Sequence, residues 1–197
     1  MAKKPAKKKA SAKKPAARKL AAKSARKAAP ARGAAQPRWK PKGVQDVMMN
    51  FVVRGADAAI EFYKKALGAQ ELSRHNMPDG KSIMHAEIRI GDTVLALNDE
   101  SPMSPTTAAG PTHKPTGAFV LYTRDCDALF ARAVQAGARA TMPMSDMFWG
   151  DRMGMISDPF GQVWMIATHQ RDLSEAELKK AGDEAMAQMA AQQQHAP

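Results

Sequence analysis

Alternation with a period of two first emerges near Val47–Arg54, where Met49, Phe51 and Val53 fall on one side and Asn50, Val52 and Arg54 on the other. That pattern predicts a strand with one face packed. A helix follows from about Asp57 to Leu67, with Asp57 near its N-cap and Gly68 just past its end. A second strand is expected near Gln70–Arg74. It leads into Met77-Pro78-Asp79-Gly80, a strong turn signal. Ile83–Ile90 alternates again, Gly91-Asp92 turns the chain, and Thr93–Asn98 reads as a fourth strand. Parity splits the third strand into a helix-packed apolar set (Met84, Ala86, Ile88, Ile90) and an opposite set (His85, Glu87, Arg89).

The same succession recurs: a strand at Phe119–Arg124, a helix at Asp127–Ala136 stopped by Gly137, and strands at Ala140–Met144, Arg152–Ser157 and Gln162–Thr168. Asp158-Pro159-Phe160-Gly161 turns between the last two. The offset is about 70 residues, which sets Arg54 on Arg124, Asp57 on Asp127 and Ala58 on Ala128. Two βαβββ units related by duplication are the simplest reading. Ser101–Thr116, rich in Pro, Thr and Gly, reads as the surface linker between them. Ser174-Glu175-Ala176-Glu177 is a capping box that opens a last helix, with Leu178, Ala181, Ala185 and Met189 as a modest apolar stripe. The predicted class is therefore α+β. It comprises a basic tail over 1–43, a paired-module domain over 44–172 (modules 44–100 and 117–172), and a C-terminal helix with a frayed end over 173–197.

Charge separates the tail from the rest. The 197-residue chain has a net charge of +11, yet residues 1–43 hold 16 Lys or Arg and no acid, while the remainder nets −5. The tail is Lys, Ala and Pro with almost no large apolar side chain, a composition expected to be disordered. Its repeated Lys-Lys-Pro-Ala (Lys3–Ala6 and Lys13–Ala16) resembles the tails of linker histones and of bacterial histone-like proteins. Cations such as Lys3, Lys4, Lys7, Lys8, Lys9, Lys13, Lys14, Arg18 and Lys19 are expected to bind DNA or RNA without sequence preference, because each phosphate they neutralise releases a counterion. Trp39 stands alone, so base stacking is not expected. No apolar run reaches membrane-spanning length, the N-terminus lacks a secretory signal, and Cys126 is the single cysteine. These features point to a cytoplasmic protein associated through its tail with the nucleoid.

Several motifs carry a resemblance. They are AAIEFYKKALGA at 58–69, MHAEIRIGD at 84–92, DALFARAVQAGA at 127–138 and FWGDRMGMISDPFGQVWMIATH at 148–169. In combination with the paired modules they resemble the glyoxalase/bleomycin-resistance/extradiol-dioxygenase (vicinal oxygen chelate) superfamily, and within it the PhnB-like branch. The resemblance implies a curved mixed sheet around a cleft, often completed by a second copy of the chain. It also implies a divalent metal held from the first and fourth strands of each module. Asn50, Ala96, Val120 and Met165 fall at those positions here. Two of the four have no donor atom, and the other two differ in softness. No metal and no other cofactor are therefore expected.

The cleft is expected to bind a small molecule through Asn50, Tyr122, Trp149, Arg152 and Met165, with Gly154 leaving space. His85 and Glu87 are a candidate acid–base pair. Asp151 and Arg152 are expected to pair with each other or to brace the turn. The methionines clustered at 142–155 read as packing, and Cys126 as a small packed residue. A metal-independent lyase or isomerase, and a nucleoid architectural protein, are the competing readings.

Overall fold

The computed structural model describes residues 39–110 and 112–194, with side chains through Ala191. The chain divides into two units, Met1–Trp39 and Lys40–Pro197, and only the second is described here beyond Trp39. The tail cations named above lie outside the described residues.

Each module repeats strand, helix, three strands. The first holds β1 (Asn50–Val53), α1 (Ala56–Leu67), β2 (Gln70–Asn76), β3 (Ile83–Ile90) and β4 (Thr93–Asp99). The second holds β5 (Phe119–Tyr122), α2 (Cys126–Gln135), β6 (Arg139–Asp146), β7 (Asp151–Ser157) and β8 (Val163–His169). The sheet orders are β1-β4-β3-β2 and β5-β8-β7-β6, each mixed: β1 and β5 run parallel to β4 and β8, and the other pairs are antiparallel. The α+β class and the paired modules are as the sequence predicts, in the form of two open four-stranded sheets. β1 is shorter than the alternation suggested, because its ladder stops where Val53 meets Asp99 at the end of β4.

The helix starts are built differently in the two modules. Gly55 caps α1 at φ 83°, where it has no side chain to offer the free N–H groups. Asp99 substitutes: one carboxylate oxygen accepts the N–H of Gly55 (2.8 Å) and of Ala56 (2.9 Å), and the other accepts that of Ile83 (2.8 Å). Asp57, expected as the cap, instead pairs with Arg74. In the second module Asp125 caps α2 in the usual way and accepts the Ala128 N–H at 2.9 Å. The final helix, α3 (Glu175–Gln194), opens with the predicted capping box: Ser174 N–H donates to Glu177 Oε2 (2.9 Å), and Glu177 N–H donates to Ser174 Oγ (3.3 Å). Leu178 and Met189 of its apolar stripe stay exposed. Fraying was expected over 192–197, but α3 continues through Gln194, and residues 195–197 lie outside the described residues. No helix among the described residues is long and apolar enough to cross a membrane.

Both helices cover one face of the sheets. Phe51, Val53, Ala86, Ile88, Leu95 and Leu97 of the first sheet and Ile156, Trp164 and Ile166 of the second join one buried cluster with Ile60, Tyr63, Leu129 and Ala133 of the helices. Phe119 stacks on Trp164 (4.4 Å between centroids) and meets Phe51 edge-on (5.2 Å), which ties β5 to β1. Arg132 of α2 donates to the Ala66 carbonyl of α1 at 2.9 Å. Tyr63 of α1 donates to Asp158 in the β7–β8 turn at 2.8 Å. Asp158 is buried and also accepts from Trp164 Nε1 (3.0 Å) and from the N–H groups of Phe160 and Gln162 (2.9 Å each). The predicted turn is thus also the polar centre of the joint between the modules. Met84, expected in the packed set, is instead half exposed, because β3 bulges between Ile83 and His85 where it pairs with β2.

Candidate ligand-binding site

The register shows which residues share the face turned away from the helices. Across the first sheet a row runs Asn50, Ala96, Glu87, Ser73. Across the second it runs Val120, Met165, Met155, Met142. The four positions expected from the metal-binding pattern therefore head equivalent rows, two per sheet. His85, Glu87 and Arg89 share the open face, as their parity predicted, since Ala86, Ile88 and Ile90 are in the core. His85 Nε2 lies 3.6 Å from Glu87 Oε1, and the His85 ring stacks on His75 across the ladder at 6.4 Å.

A cavity of about 730 Å³ opens where β1 and β5 meet. Its floor includes Asn50, Phe51, Phe119 and Val120. Its far wall is the linker, which folds back over the junction and contributes His113, Lys114 and Pro115. Gln162 closes one side, its amide 3.4 Å from the Val52 carbonyl. Sequence reading missed His113, Lys114 and Gln162. A segment rich in Pro, Thr and Gly carries no signal of where it lies, and Gln162 was taken as part of a strand.

At the other end of the open face Asp151 is 4% exposed and gathers three side chains. Tyr122 Oη donates to it at 2.8 Å, Trp149 Nε1 at 3.0 Å, and His169 Nδ1 lies at 2.7 Å. His169 Nε2 reaches Asp172 at 3.0 Å. Burial alone would raise the Asp151 pKa, but the bonds from His169, Tyr122 and Trp149 outweigh it and hold the carboxyl below its ordinary value. The same contact with Asp151, helped by Asp172, raises the pKa of His169. The hydrogen bond to Asp151 raises that of Tyr122. The structure thus brings Tyr122, Trp149 and His169 together around a carboxylate that had been read as an ion-pair partner of Arg152.

Arg152 is the main correction to the expected site. It alternates with Asp151 along β7 and so points to the helix side. There it meets Asp127 of α2 through two bonds (2.7 and 2.8 Å) and Asp146 at 3.0 Å. Those carboxylates raise its pKa further and lower that of Asp127. Arg152 is therefore neither in the cleft nor paired with Asp151, and strand parity already required this separation. Gly154 shares its side of the strand. The space beside it is occupied: a Cβ there would come within 2.6 Å of Met144 Sδ and 2.9 Å of the Phe130 ring. Cys126 is buried at the start of α2, as expected of a packed residue.

The heads of the two rows fit a divalent metal poorly. They offer one amide, one thioether and two alkyl groups. Among the described residues no group of three or more His, Cys, Asp or Glu side chains could hold a metal ion. What the arrangement can do chemically is enclose an apolar group at the β1–β5 junction and present polar groups along the open face beside it.

Comparison with known proteins agrees with this architecture. The sequence profile described as the Glyoxalase/Bleomycin resistance protein/Dioxygenase superfamily matches residues 46–166. A Mycobacterium bovis protein, Mb0911c, is 39% identical over 139 residues, covering 67% of this chain and 88% of that one. The crystal structure of TioX from Micromonospora sp. ML1 is 25% identical with a TM-score of 0.50, covering 62% of this chain and 98% of TioX. The PhnB protein from Bacillus cereus shares the fold at 13% identity and a TM-score of 0.51, covering 63% of this chain and 99% of that one. With a profile that spans most of the chain and both modules in place, this protein belongs to the Glyoxalase/Bleomycin resistance protein/Dioxygenase superfamily.

Proposed function

We propose that this protein binds a small, largely apolar molecule without the divalent metal used by many members of its superfamily. The observation that carries the reading is the cavity at the β1–β5 junction. It is about 730 Å³, within the range of small-molecule sites, and one residue from each row, Asn50 and Val120, lines it. Asn50 supplies a directional polar contact there; Met165 lies beside Val120 in its row and Tyr122 and Trp149 are held by Asp151 farther along the open face, outside the lining of the cavity. A second copy of the chain is part of the proposal. Val120 is 55% exposed and Tyr122 58% exposed on the open face, an apolar surface that a partner would cover.

A native mass spectrum of freshly purified full-length protein tests the reading. The expected result is a dimer that retains an organic molecule, with no stoichiometric Zn, Mn, Fe or Ni. Val120→Trp, which fills the cavity, should release that molecule. Stoichiometric metal that is lost in Asn50→Ala would overturn the metal-free reading.

Two neighbouring readings have support of their own. His85 and Glu87 stand adjacent on the open face, which favours a metal-independent acid–base reaction as the second reading. Turnover that survives chelation and is lost in Glu87→Gln would establish it. The tail's charge of +16 supports non-specific attachment to nucleic acid and hence a cytoplasmic, nucleoid-associated placement.

A further inference from the structure

A second cavity, also about 730 Å³, lies beyond the linker from the first, between the linker, the Asp158–Gly161 turn and the edge strand β6. Arg54, Lys114 and Arg139 all line it. Its single acidic lining residue is Asp158, whose oxygens are already taken by Tyr63, Trp164, Phe160 and Gln162. Arg54 is bound by Glu100 through two bonds of 2.7 and 3.1 Å. No side-chain hydrogen bond or ion pair engages Lys114 or Arg139 among the described residues. Two unpaired cations and one shared one therefore face a common space. All three are solvent-exposed, and the positive potential of the space they share favours entry of an anion.

The walls are built to hold this geometry. Glu100 also accepts the Ala108 N–H at 3.1 Å, and Ala108 is fully buried, so the linker is anchored where it passes Arg54. A Cβ at Gly110 would come within 2.9 Å of the Arg54 guanidinium, so the absence of a side chain there lets the arginine reach past the linker. Ala109 packs so closely on Gly161 that a Cβ there would lie 3.0 Å from it. Thr141 and Ser157, which also line the space, add hydroxyl donors.

We propose that this second cavity binds the phosphate group of a small molecule. A dianion matches the two unpaired cations better than a carboxylate does, and the arginine forks can engage tetrahedral oxygens in pairs. The two cavities share Ala109, Lys114 and Pro115 of the linker, whereas Arg54 and Arg139 line only the second, so Arg139→Gln by itself separates this proposal from the reading of the first cavity.

Amide-resolved NMR of the full chain, titrated with inorganic phosphate at constant ionic strength, reads each site separately from the tail. Saturable shifts are expected at Gly110, Thr141, Ser157 and Gly161, with acetate binding at least tenfold more weakly than phosphate. Arg139→Gln combined with Lys114→Gln should weaken phosphate at least tenfold while leaving the amide spectrum dispersed. Arg139→Lys should retain most of the binding. Shifts confined to residues 1–43, unchanged affinity in the double variant, or acetate binding as tightly as phosphate would each overturn the proposal. Release of the bound organic molecule by Val120→Trp bears only on the first cavity.

Discussion

Single carboxylates organise this molecule at the points where its parts meet. Asp158 accepts four hydrogen bonds while buried, two from side chains of the core and two from the backbone of its own turn. Asp158→Asn keeps the shape but aims an amide donor at groups that are themselves donors. The expected cost is about 2–3 kcal/mol, measured by urea denaturation. Asp151 and His169 give a pH signature. The folded pKa of His169 is raised, so its contribution is fully present below its unfolded value of about 6.5 and is lost as pH rises through the higher folded value. The folded pKa of Asp151 is lowered, so its contribution is present above about 3.9 and is lost as pH falls through the lower folded value. The melting temperature of the natural chain should therefore exceed that of His169→Asn by more at pH 6 than at pH 9. A gap that is constant across that range would remove the pair from the account.

At the scale of elements, what each strand faces decides what it can do. β7 alternates Asp151, Met153 and Met155 on the open side with Arg152, Gly154 and Ile156 on the helix side. Phe130 of α2 and Met144 of the neighbouring strand β6 come so close to that second side that they fill the place of a side chain at 154. Gly154→Ala should cost about 1–3 kcal/mol through overpacking, with Met144 yielding before the stiffer Phe130 ring, as read from thermal or chemical denaturation. The start of α1 offers a parallel test. Asp99 reaches from the end of β4 to satisfy two N–H groups at the helix start and a third at the start of β3. Asp99→Ala should cost about 1–2 kcal/mol, whereas Asp57→Ala, which removes only an exposed pair with Arg74, should cost at most about 1 kcal/mol. A reversed order would return the capping role to Asp57.

For the whole molecule, charge and topology belong to different stretches of chain. Residues 1–43 are +16 and the remainder is −5. If about 6–10 tail cations contact phosphates, affinity for duplex DNA should fall roughly 10³–10⁵-fold between 50 and 200 mM salt. A chain beginning at residue 43 should bind DNA poorly at either salt. Equal binding by the two forms, in fluorescence anisotropy, would remove the tail from the interaction. The two modules, by contrast, are held by groups spread over the sequence: Phe51 against Phe119, Tyr63 to Asp158, and Arg132 to the Ala66 carbonyl.

Local periodicity was enough to place each helix and strand among the described residues to within a few positions, because alternation and capping act over short distances. It also separated His85, Glu87 and Arg89 from the core, since parity along one strand is a property of that strand alone. The same rule, applied across β7, would have put Asp151 and Arg152 on opposite sides. The expected pair between them neglected it. Other features could not be read along the chain. The return of the linker over the β1–β5 junction, the meeting of Arg54, Lys114 and Arg139, and the gathering of Tyr122, Trp149 and His169 around Asp151 all join residues from separate segments. Composition and spacing determine which segments become helices and strands. Which side chains converge in space depends on how the two sheets and the linker pack, and only the tertiary structure decided that.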